Sequence, residues 1–340
     1  MTPKKNNTLP SSSVNNACLL ILTGTALTWI LVYAKTILMP FVIALFLGMV
    51  LNTIAQSIQR KWNVPYALGI IAGISFFLGL AALSISFVSS SISSFMDGMN
   101  MYNDKLNMTI AWSLEMAQKA GLKINDQFVA EALTRLPVFT MVKSMGGWVV
   151  SFISNVTLIS LFLIFIFMGR VSPENRSQLS SSIEKQISYY LIIKMLVSLL
   201  AGVVTWIVLK ITGTEMAGMF AVLTFVLNFI PNIGPFIATA LPLPVLFLQY
   251  GFDWHILVTL LLLGTAHFII GNVLETKWLG QGMDLNPVVV IASLIFWALV
   301  WGPMGALLAV PLTSIIKMIL DRGETTRPFA EFMAGRLSFK

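Results

Sequence analysis

Charged side chains are scarce in this sequence, and histidine and cysteine are scarcer still. Asp, Glu, Lys and Arg make up 10% of the 340 residues, whereas 57% are hydrophobic. A soluble globular protein needs many more polar side chains to cover its surface, so the composition excludes that class. A single cysteine, Cys18, also excludes an intramolecular disulfide and a zinc site made of cysteines.

Several enzyme and binding motifs are missing as well. The sequence has no Walker A segment for ATP and no HExxH segment for zinc. Ser198 and Ser293 fall in apolar stretches, but no activating group accompanies them. The formal charge of +7 comes from Lys and Arg that flank apolar stretches and form no dense basic patch, so we expect no nucleic-acid partner. We therefore predict neither an enzyme nor a cofactor, and no metal site.

The apolar residues are grouped in blocks of about 15 to 25, each long enough to cross a hydrocarbon layer roughly 30 Å thick. This pattern predicts an all-α polytopic membrane protein that contacts membrane lipid. Continuous spans are expected at 17–34, 36–55, 66–88, 148–168 and 254–273, and a further span ends near Leu209. We expect a charged, amphipathic connector with Glu184, Lys185 and Lys194 before that further span.

The polar and apolar stretches divide the chain into five parts. Residues 1–16 form a polar tail and residues 17–93 the first three transmembrane helices. A small helical module follows at 94–147, where apolar residues recur at helical spacing. Residues 148–320 form the transport region, and residues 321–340 a second tail. Lys and Arg are enriched at one set of helix ends, which predicts cytoplasmic termini and an extracytoplasmic module.

Two apolar stretches are interrupted by glycine and proline. The stretch 215–250 is broken at 231–235, and the stretch 287–319 at 302–305. The arms of the first stretch are about 16 residues long and reach only about 24 Å, so a helical hairpin is expected at each break. A shift of 68 residues places Gly234 and Pro235 on Gly302 and Pro303, which suggests an internal repeat.

Helix breaks inside a bilayer leave backbone amides and carbonyls unpaired unless protein or a watery cavity covers them. Two broken segments in corresponding positions are also the best sequence indication of a transporter binding site. The alternative, that the prolines only kink packed helices, stays open. We expect a site for a small polar solute at the breaks, formed by Asn228, Pro231, Asn232, Gly234, Pro235, Gly302 and Pro303.

Three polar residues of the intervening span, His267, Asn272 and Glu275, are candidates for coupling transport to protons or cations. His267, Gly271 and Glu275 are four residues apart, so they share one helix face. Two plainer explanations remain open. In the first, His267 is a packed histidine bonded to a neighbouring carbonyl. In the second, Glu275 pairs with Lys277 at the headgroup boundary.

Four segments carry a resemblance to known proteins: ILMPFVIALFLGMVLN (37–52), FVLNFIPNIGPFIATALPLP (225–244), GNVLETKWLGQGMDLNP (271–287) and WGPMGALLAVPLTSIIKMIL (301–320). In these segments, which extend over most of the chain, the sequence resembles the bacterial permeases of the autoinducer-2 exporter family. It departs from the family pattern at Thr276, where proline commonly follows the glutamate.

The resemblance implies a bacterial inner-membrane protein with about eight membrane segments, cytoplasmic termini and a homo-oligomeric, pentameric assembly. It implies export of a small polar signalling molecule, autoinducer-2, by a secondary or facilitative mechanism with alternating access. One alternative is a sodium (lithium)/proton antiporter, which other members resemble, with Glu275 titrating and His267 assisting. The other is a non-transporting membrane scaffold that recruits partners through residues 94–147.

Overall fold

The computed structural model describes residues 11–97, 119, 154–169, 178–251, 253–279 and 283–336. Every regular element within these residues is helical, which confirms the prediction of an all-α polytopic membrane protein. In chain order the helices are α1 (Ser11–Tyr33), α2 (Lys35–Trp62), α3 (Tyr66–Asp97), α4 (Ser154–Met168), α5 (Gln178–Ile211), α6 (Ala217–Leu227), α7 (Ile233–Ala240), α8 (Leu243–Tyr250), α9 (Trp254–Phe268), a π-helical segment (Ile269–Leu274), α10 (Glu275–Leu279), α11 (Pro287–Trp301), α12 (Pro303–Leu320) and α13 (Arg327–Met333).

Six stretches of the described chain are long and apolar enough to cross a membrane. They lie in α2, α3, α5, α7 with α8, α9 with α10, and α12. Shorter apolar helices include α4, α6 and α11. The chain is therefore a multi-pass membrane protein. The predicted helical module at 94–147 lies outside the described residues except at 94–97 and 119, as do residues 1–10 and 337–340 of the tails.

The predicted connector before the fifth span is wrong. Helix α5 begins at Gln178 and continues without a break to Ile211, so Glu184, Lys185 and Lys194 are all helical. Two of these charges reach into the bundle, where Glu184 accepts a hydrogen bond from Asn52 and Lys194 pairs with Glu275. Ionisable residues are tolerated inside a membrane span when they are paired in the bundle interior. These two charges therefore fit within α5 and do not require a loop.

The first break produces a hairpin of α6 against α7 and α8. Asn232 occupies the N-cap position of α7 with a φ of 60°, a positive value that is uncommon outside glycine and enriched in asparagine. Gly234 follows at the closest approach of the two arms, where an added Cβ would lie 1.9 Å from the carbonyl oxygen of Leu227. Only glycine fits this position without moving backbone.

The second break has the same construction. Helices α11 and α12 run alongside each other, and Gly302 turns the chain between them with a φ of 68°. An added Cβ on Gly305 would lie 1.9 Å from the carbonyl oxygen of Trp297. The positive-φ residues Asn232 and Gly302 are thus 70 residues apart and the close-approach glycines Gly234 and Gly305 are 71 apart, whereas the predicted repeat placed Gly234 on Gly302 at a shift of 68.

The two hairpins approach each other from opposite ends of a continuous span. Helices α9 and α10 with the π-helical segment form a 26-residue span, about 39 Å long. Three residues separate it from the first hairpin, and it ends shortly before the second. At the tips, Ile230 of the first hairpin packs with Trp301 and Ala306 of the second. Helix α1 lies against the second hairpin, where Trp301 Nε1 donates to the Leu31 carbonyl over 3.0 Å.

A polar cavity beside the first broken helix

A cavity of about 600 Å³ lies between the first hairpin, α5 and the span formed by α9 and α10. Its size falls in the range of small-molecule sites, about 300–1,000 Å³. Polar side chains and the hairpin turn provide much of its wall. The lining residues are Lys194, Ile230, Pro231, Asn232, Pro235, Phe236, Thr239, Gly264, His267, Phe268, Gly271, Asn272, Glu275, Thr276 and Leu279.

Two glycines on the α9 side help to keep this volume open. No atom lies within 4 Å of a Cβ built on Gly264, so this position faces empty space. A Cβ on Gly271 would make an ordinary contact of 3.8 Å with the Pro235 ring. The absence of side chains here leaves room for a solute between the broken helix and the neighbouring span.

The π-helical segment Ile269–Leu274 lies on the cavity wall. Such a segment contains one extra residue per turn, and π-bulges occur frequently at functional sites. His267 and Glu275, at either end of it, both line the cavity, as does Asn272 within it. Asn272 Nδ2 donates to the Phe268 carbonyl over 3.2 Å. The sequence predicted a shared α-helical face for His267 and Glu275 but gave no sign of the π turn.

His267 is held between two threonines. Its Nδ1 lies 2.7 Å from Thr239 Oγ1 and its Nε2 lies 3.0 Å from Thr205 Oγ1. Thr239 donates its only hydroxyl proton to the Pro235 carbonyl over 2.8 Å. The hydroxyl must therefore accept from Nδ1, which assigns the Nδ1-protonated tautomer to a neutral imidazole. His267 is 4% exposed, so it is a packed histidine that also forms part of the cavity wall, with threonine hydroxyls as partners in place of the expected carbonyl.

Lys194 and Glu275 form an ion pair at the cavity. The lysine side chain is 1% exposed and the glutamate side chain 16% exposed. Glu275 therefore has its partner in α5, while Lys277 lies on the exposed surface. Lys194 was not predicted as a cavity residue, because the sequence pattern assigned it to the charged connector before the span. The available signal was a lone lysine in the apolar run 187–200.

The structure brings together some of the predicted solute-site residues and separates others. Pro231, Asn232 and Pro235 line the cavity. Asn228 is 3% exposed and lies behind the wall, where its Nδ2 donates to Ser198 Oγ over 3.0 Å. Gly234 is buried beneath the turn.

The second break lies elsewhere. Gly302 is half-buried and Pro303 is exposed, and neither lines the polar cavity. By contrast, the wall of the polar cavity includes all three predicted coupling residues, His267, Asn272 and Glu275. The cavity therefore joins the first break to the intervening span and does not extend to the second turn.

Comparisons with known proteins identify a family and several relatives. Residues 18–325 match the AI-2E family transporter model. The chain is 28% identical to the AI-2 transport protein TqsA of Escherichia coli K12 over 303 residues, which cover 85% of this chain and 87% of that protein.

Two further relatives are described only as putative transport proteins. YhhT of Escherichia coli K12 is 30% identical over 300 residues, covering 85% of each chain. A protein of Haemophilus influenzae is 27% identical over 352 aligned positions, covering 95% of this chain and 96% of the relative. The family match extends over most of the chain, including both hairpins and the cavity beside the first hairpin, and the protein therefore belongs to the AI-2E family of transporters.

Proposed function

We propose that this transporter exports a small polar signalling molecule of the autoinducer-2 type through the cavity beside the first hairpin. The observation that carries the proposal is a cavity of about 600 Å³ at a helix break, lined by hydrogen-bonding side chains and one ion pair. The name of the TqsA relative supports the choice of solute. No ATP-binding motif is present in the sequence, so we propose a secondary or facilitative mechanism.

The chemistry of the wall suits a solute with several hydroxyl groups. A polyol presents donors and acceptors together, and the amides of Asn232 and Asn272 offer both kinds of partner, while the hydroxyl of Thr239 retains one acceptor site. In this proposal Asn232 binds the solute directly, and Pro231 and Pro235 shape the turn around it. Other predicted residues act behind this wall or at the second tip: Asn228, Gly234, Gly302 and Pro303.

The hairpin arrangement supports alternating access. Ile230 lines the cavity and also packs against the second hairpin, so a displacement of one hairpin against the other changes the cavity wall. Transporters with broken helices move one bundle relative to another around a central site. We propose such a movement here, with access from one side closing as access from the other opens.

The test measures release of a preloaded polyol signal from liposomes that contain the purified protein. The variant Asn232→Gly with Thr239→Val removes an amide and a hydroxyl from the cavity, and glycine accepts the positive φ of position 232. We expect release to fall about tenfold or more, because each lost hydrogen bond is worth roughly 1 kcal/mol. Ser160→Ala, on α4, is the control and retains full release. Equal release from the double variant and the wild type would remove the proposed site.

Cation/proton exchange is the second candidate, because the carboxylate of Glu275 lines the cavity. An exchanger should produce pH changes inside vesicles that depend on external sodium or lithium. These changes should vanish in Glu275→Gln, which cannot titrate. Sodium-dependent pH changes that persist in this variant would exclude Glu275 as the coupling group.

For the cellular arrangement we propose the bacterial inner membrane with both termini cytoplasmic and a homo-oligomeric, pentameric assembly. Bacterial transport proteins among the relatives support the membrane. The proposed topology follows from the distribution of Lys and Arg. The scaffold alternative depended on residues 94–147, and no contact in the described part of the chain favours it.

A further inference from the structure

The charges on the cavity wall cancel. Lys194 and Glu275 are the only residues with formal charge among the described lining residues, and they are paired. His267 has both ring nitrogens bonded to threonine hydroxyls, an arrangement that a neutral imidazole satisfies completely. The remaining polar groups on the wall are amides and hydroxyls. A solute therefore enters a polar space whose net charge is zero.

The two charges depend on each other because of where they lie. Lys194 is 1% exposed near the middle of the 34-residue helix α5. An ionised group at such depth is costly unless a partner of opposite charge is present. Removing one member of a buried pair leaves the other uncompensated, which is far less favourable than removing both. An uncompensated charge would attract a solute of the opposite sign into the cavity.

We propose, on the basis of the transport function above, that Lys194 is a specificity-determining residue that balances Glu275 and restricts the cavity to uncharged polar solutes. A charged solute finds no free counter-charge there, because each charge on the wall is already matched. A neutral polyol loses its water shell at lower cost and gains amide and hydroxyl partners. The substrate class follows from this balance.

The experiment compares three four-carbon probes of similar size in proteoliposomes: erythritol, erythronate and 1-amino-1-deoxyerythritol. They are neutral, anionic and cationic at neutral pH. We expect the wild type to carry erythritol and to discriminate against both charged probes. Lys194→Met should raise the ratio of cationic to neutral flux on the order of tenfold or more, because one unbalanced charge then faces the solute. Glu275→Gln should raise the ratio of anionic to neutral flux similarly.

The double variant Lys194→Met with Glu275→Gln restores neutrality and should restore the preference for erythritol. Lys210→Met is the matched control, because it removes the same charge from an exposed position at the far end of the same helix. Its probe ratios should equal those of the wild type. Unchanged ratios in both single variants, with erythritol carried normally by the wild type, would overturn the inference. A wild type that carries no erythritol would contradict the proposed function instead.

In a second experiment, a charge is added chemically to the cavity wall after the protein has folded. Lys194→Met with Glu275→Cys, in a Cys18→Ser background, has an uncharged cavity and one thiol at the wall. A sulfonate-bearing thiol reagent then adds a negative charge, and an ammonium-bearing reagent adds a positive one. The sulfonate should favour the cationic probe and the ammonium should favour erythronate. The same preference after both reagents would contradict charge balance as the basis of selection.

Discussion

At the scale of single residues, Gly264 provides the most direct test of the cavity. Nothing lies within 4 Å of a Cβ at this position, so Gly264→Leu adds a side chain to the cavity without a clash at its first atom. We expect the protein to fold with little change in Tm, because the apolar side chain enters existing space. Polyol flux should fall at least about tenfold, since the added side chain occupies space that the solute needs. Flux from proteoliposomes and a thermal unfolding curve test both parts.

Gly79→Leu is the control for this substitution. Gly79 lies on α3, is exposed, and also has no atom within 4 Å of an added Cβ. Its flux should match that of the wild type. Equal loss of flux in both variants would show a general effect of leucine on the bundle, and full flux in Gly264→Leu would separate transport from the cavity.

The sequence indicated several cavity residues and missed others for identifiable reasons. Asn232, His267 and Glu275 were predictable because polar residues are rare in apolar spans and usually face the interior. Lys194 was not, because its partner lies 81 residues away and a lysine near an expected span end suggests a loop. Asn228 was assigned to the solute site, but its side chain, directly after α6, donates to Ser198 instead.

At the scale of secondary structure, the π-helical segment sets the relation between His267 and Glu275. Deleting Ile269 removes the extra residue and should convert this segment to α-helix, which keeps Glu275 close to its place but rotates Asn272, inside the segment, away from its present position on the cavity wall. We expect the Lys194 pair to persist and flux to fall by about tenfold, because the solute loses hydrogen bonds to Asn272, with helix content unchanged by circular dichroism. Ile269→Ala truncates the same exposed side chain without changing the register. Its flux should remain near that of the wild type, and normal flux in the deletion would show that the π turn is dispensable.

A second element, α13, is attached to the loop before α11 through Asp284. The carboxylate accepts from Lys317 Nζ over 2.5 Å and from Arg336 Nη2 over 2.7 Å, and Asn286 N donates to the Met333 carbonyl over 2.8 Å. The hydrogen bond from Lys317, together with both cationic charges, lowers the pKa of Asp284 below its ordinary value. The folded protein therefore favours the ionised carboxylate.

This pKa shift fixes the pH dependence of the attachment. Because the pKa of Asp284 is lowered on folding, its ion pairs contribute fully to the free energy of unfolding at neutral pH. This contribution is lost below about pH 4, as the pH falls through the pKa of Asp284 in the folded protein. Asp284→Asn should lower the free energy of unfolding by about 1 kcal/mol or less at neutral pH, because the group is partly exposed. Thermal unfolding should show a difference from the wild type that shrinks at acidic pH.

Hydrogen exchange at neutral pH gives a local measurement of the same attachment. Asp284→Asn should increase amide exchange in residues 327–333. Glu324→Gln removes an exposed negative charge nearby and should leave this exchange unchanged. Equal exchange rates in Asp284→Asn and the wild type would mean that the ion pairs do not hold α13.

The predictability of the elements follows the strength of the apolar signal. The long apolar runs predicted the spans in α2, α3 and α9, because a helix must be about 20 residues long to cross a bilayer. The start of α5 was placed too late because its charges suggested a loop, and their partners in other helices were not visible locally. The turns at Asn232 and Gly302 were located closely, since proline and glycine interrupt helices wherever they occur.

At the scale of the whole molecule, the balanced pair predicts how transport responds to membrane potential. Moving one elementary charge across 100 mV involves about 2.3 kcal/mol, so flux of a neutral solute through a neutral cavity should change little with potential. Lys194→Met leaves one negative charge on the wall. If this charge moves through about half of the membrane potential when the cavity switches from one side to the other, the energy involved is about 1.15 kcal/mol per 100 mV. Flux should then change roughly sevenfold per 100 mV. A potassium gradient with valinomycin sets the potential for both proteins.

Lys210→Met is the control for this measurement as well, because it removes one positive charge from the protein but leaves the cavity unchanged. Its response to potential should equal that of the wild type. A wild type whose flux of erythritol varies steeply with potential would indicate a co-transported charge and would favour ion coupling over simple facilitation.

The meeting of the two hairpins at Ile230 has a consequence for leak-tightness. This side chain belongs to one hairpin, yet its neighbours include Trp297 and Trp301 of the other, and it also borders the solute space. Because both tips contribute to one hydrophobic cluster, we expect a substitution that loosens either tip, such as Ile230→Ala or Trp301→Ala, to disturb the packing of the other tip and to raise the leak of water and protons.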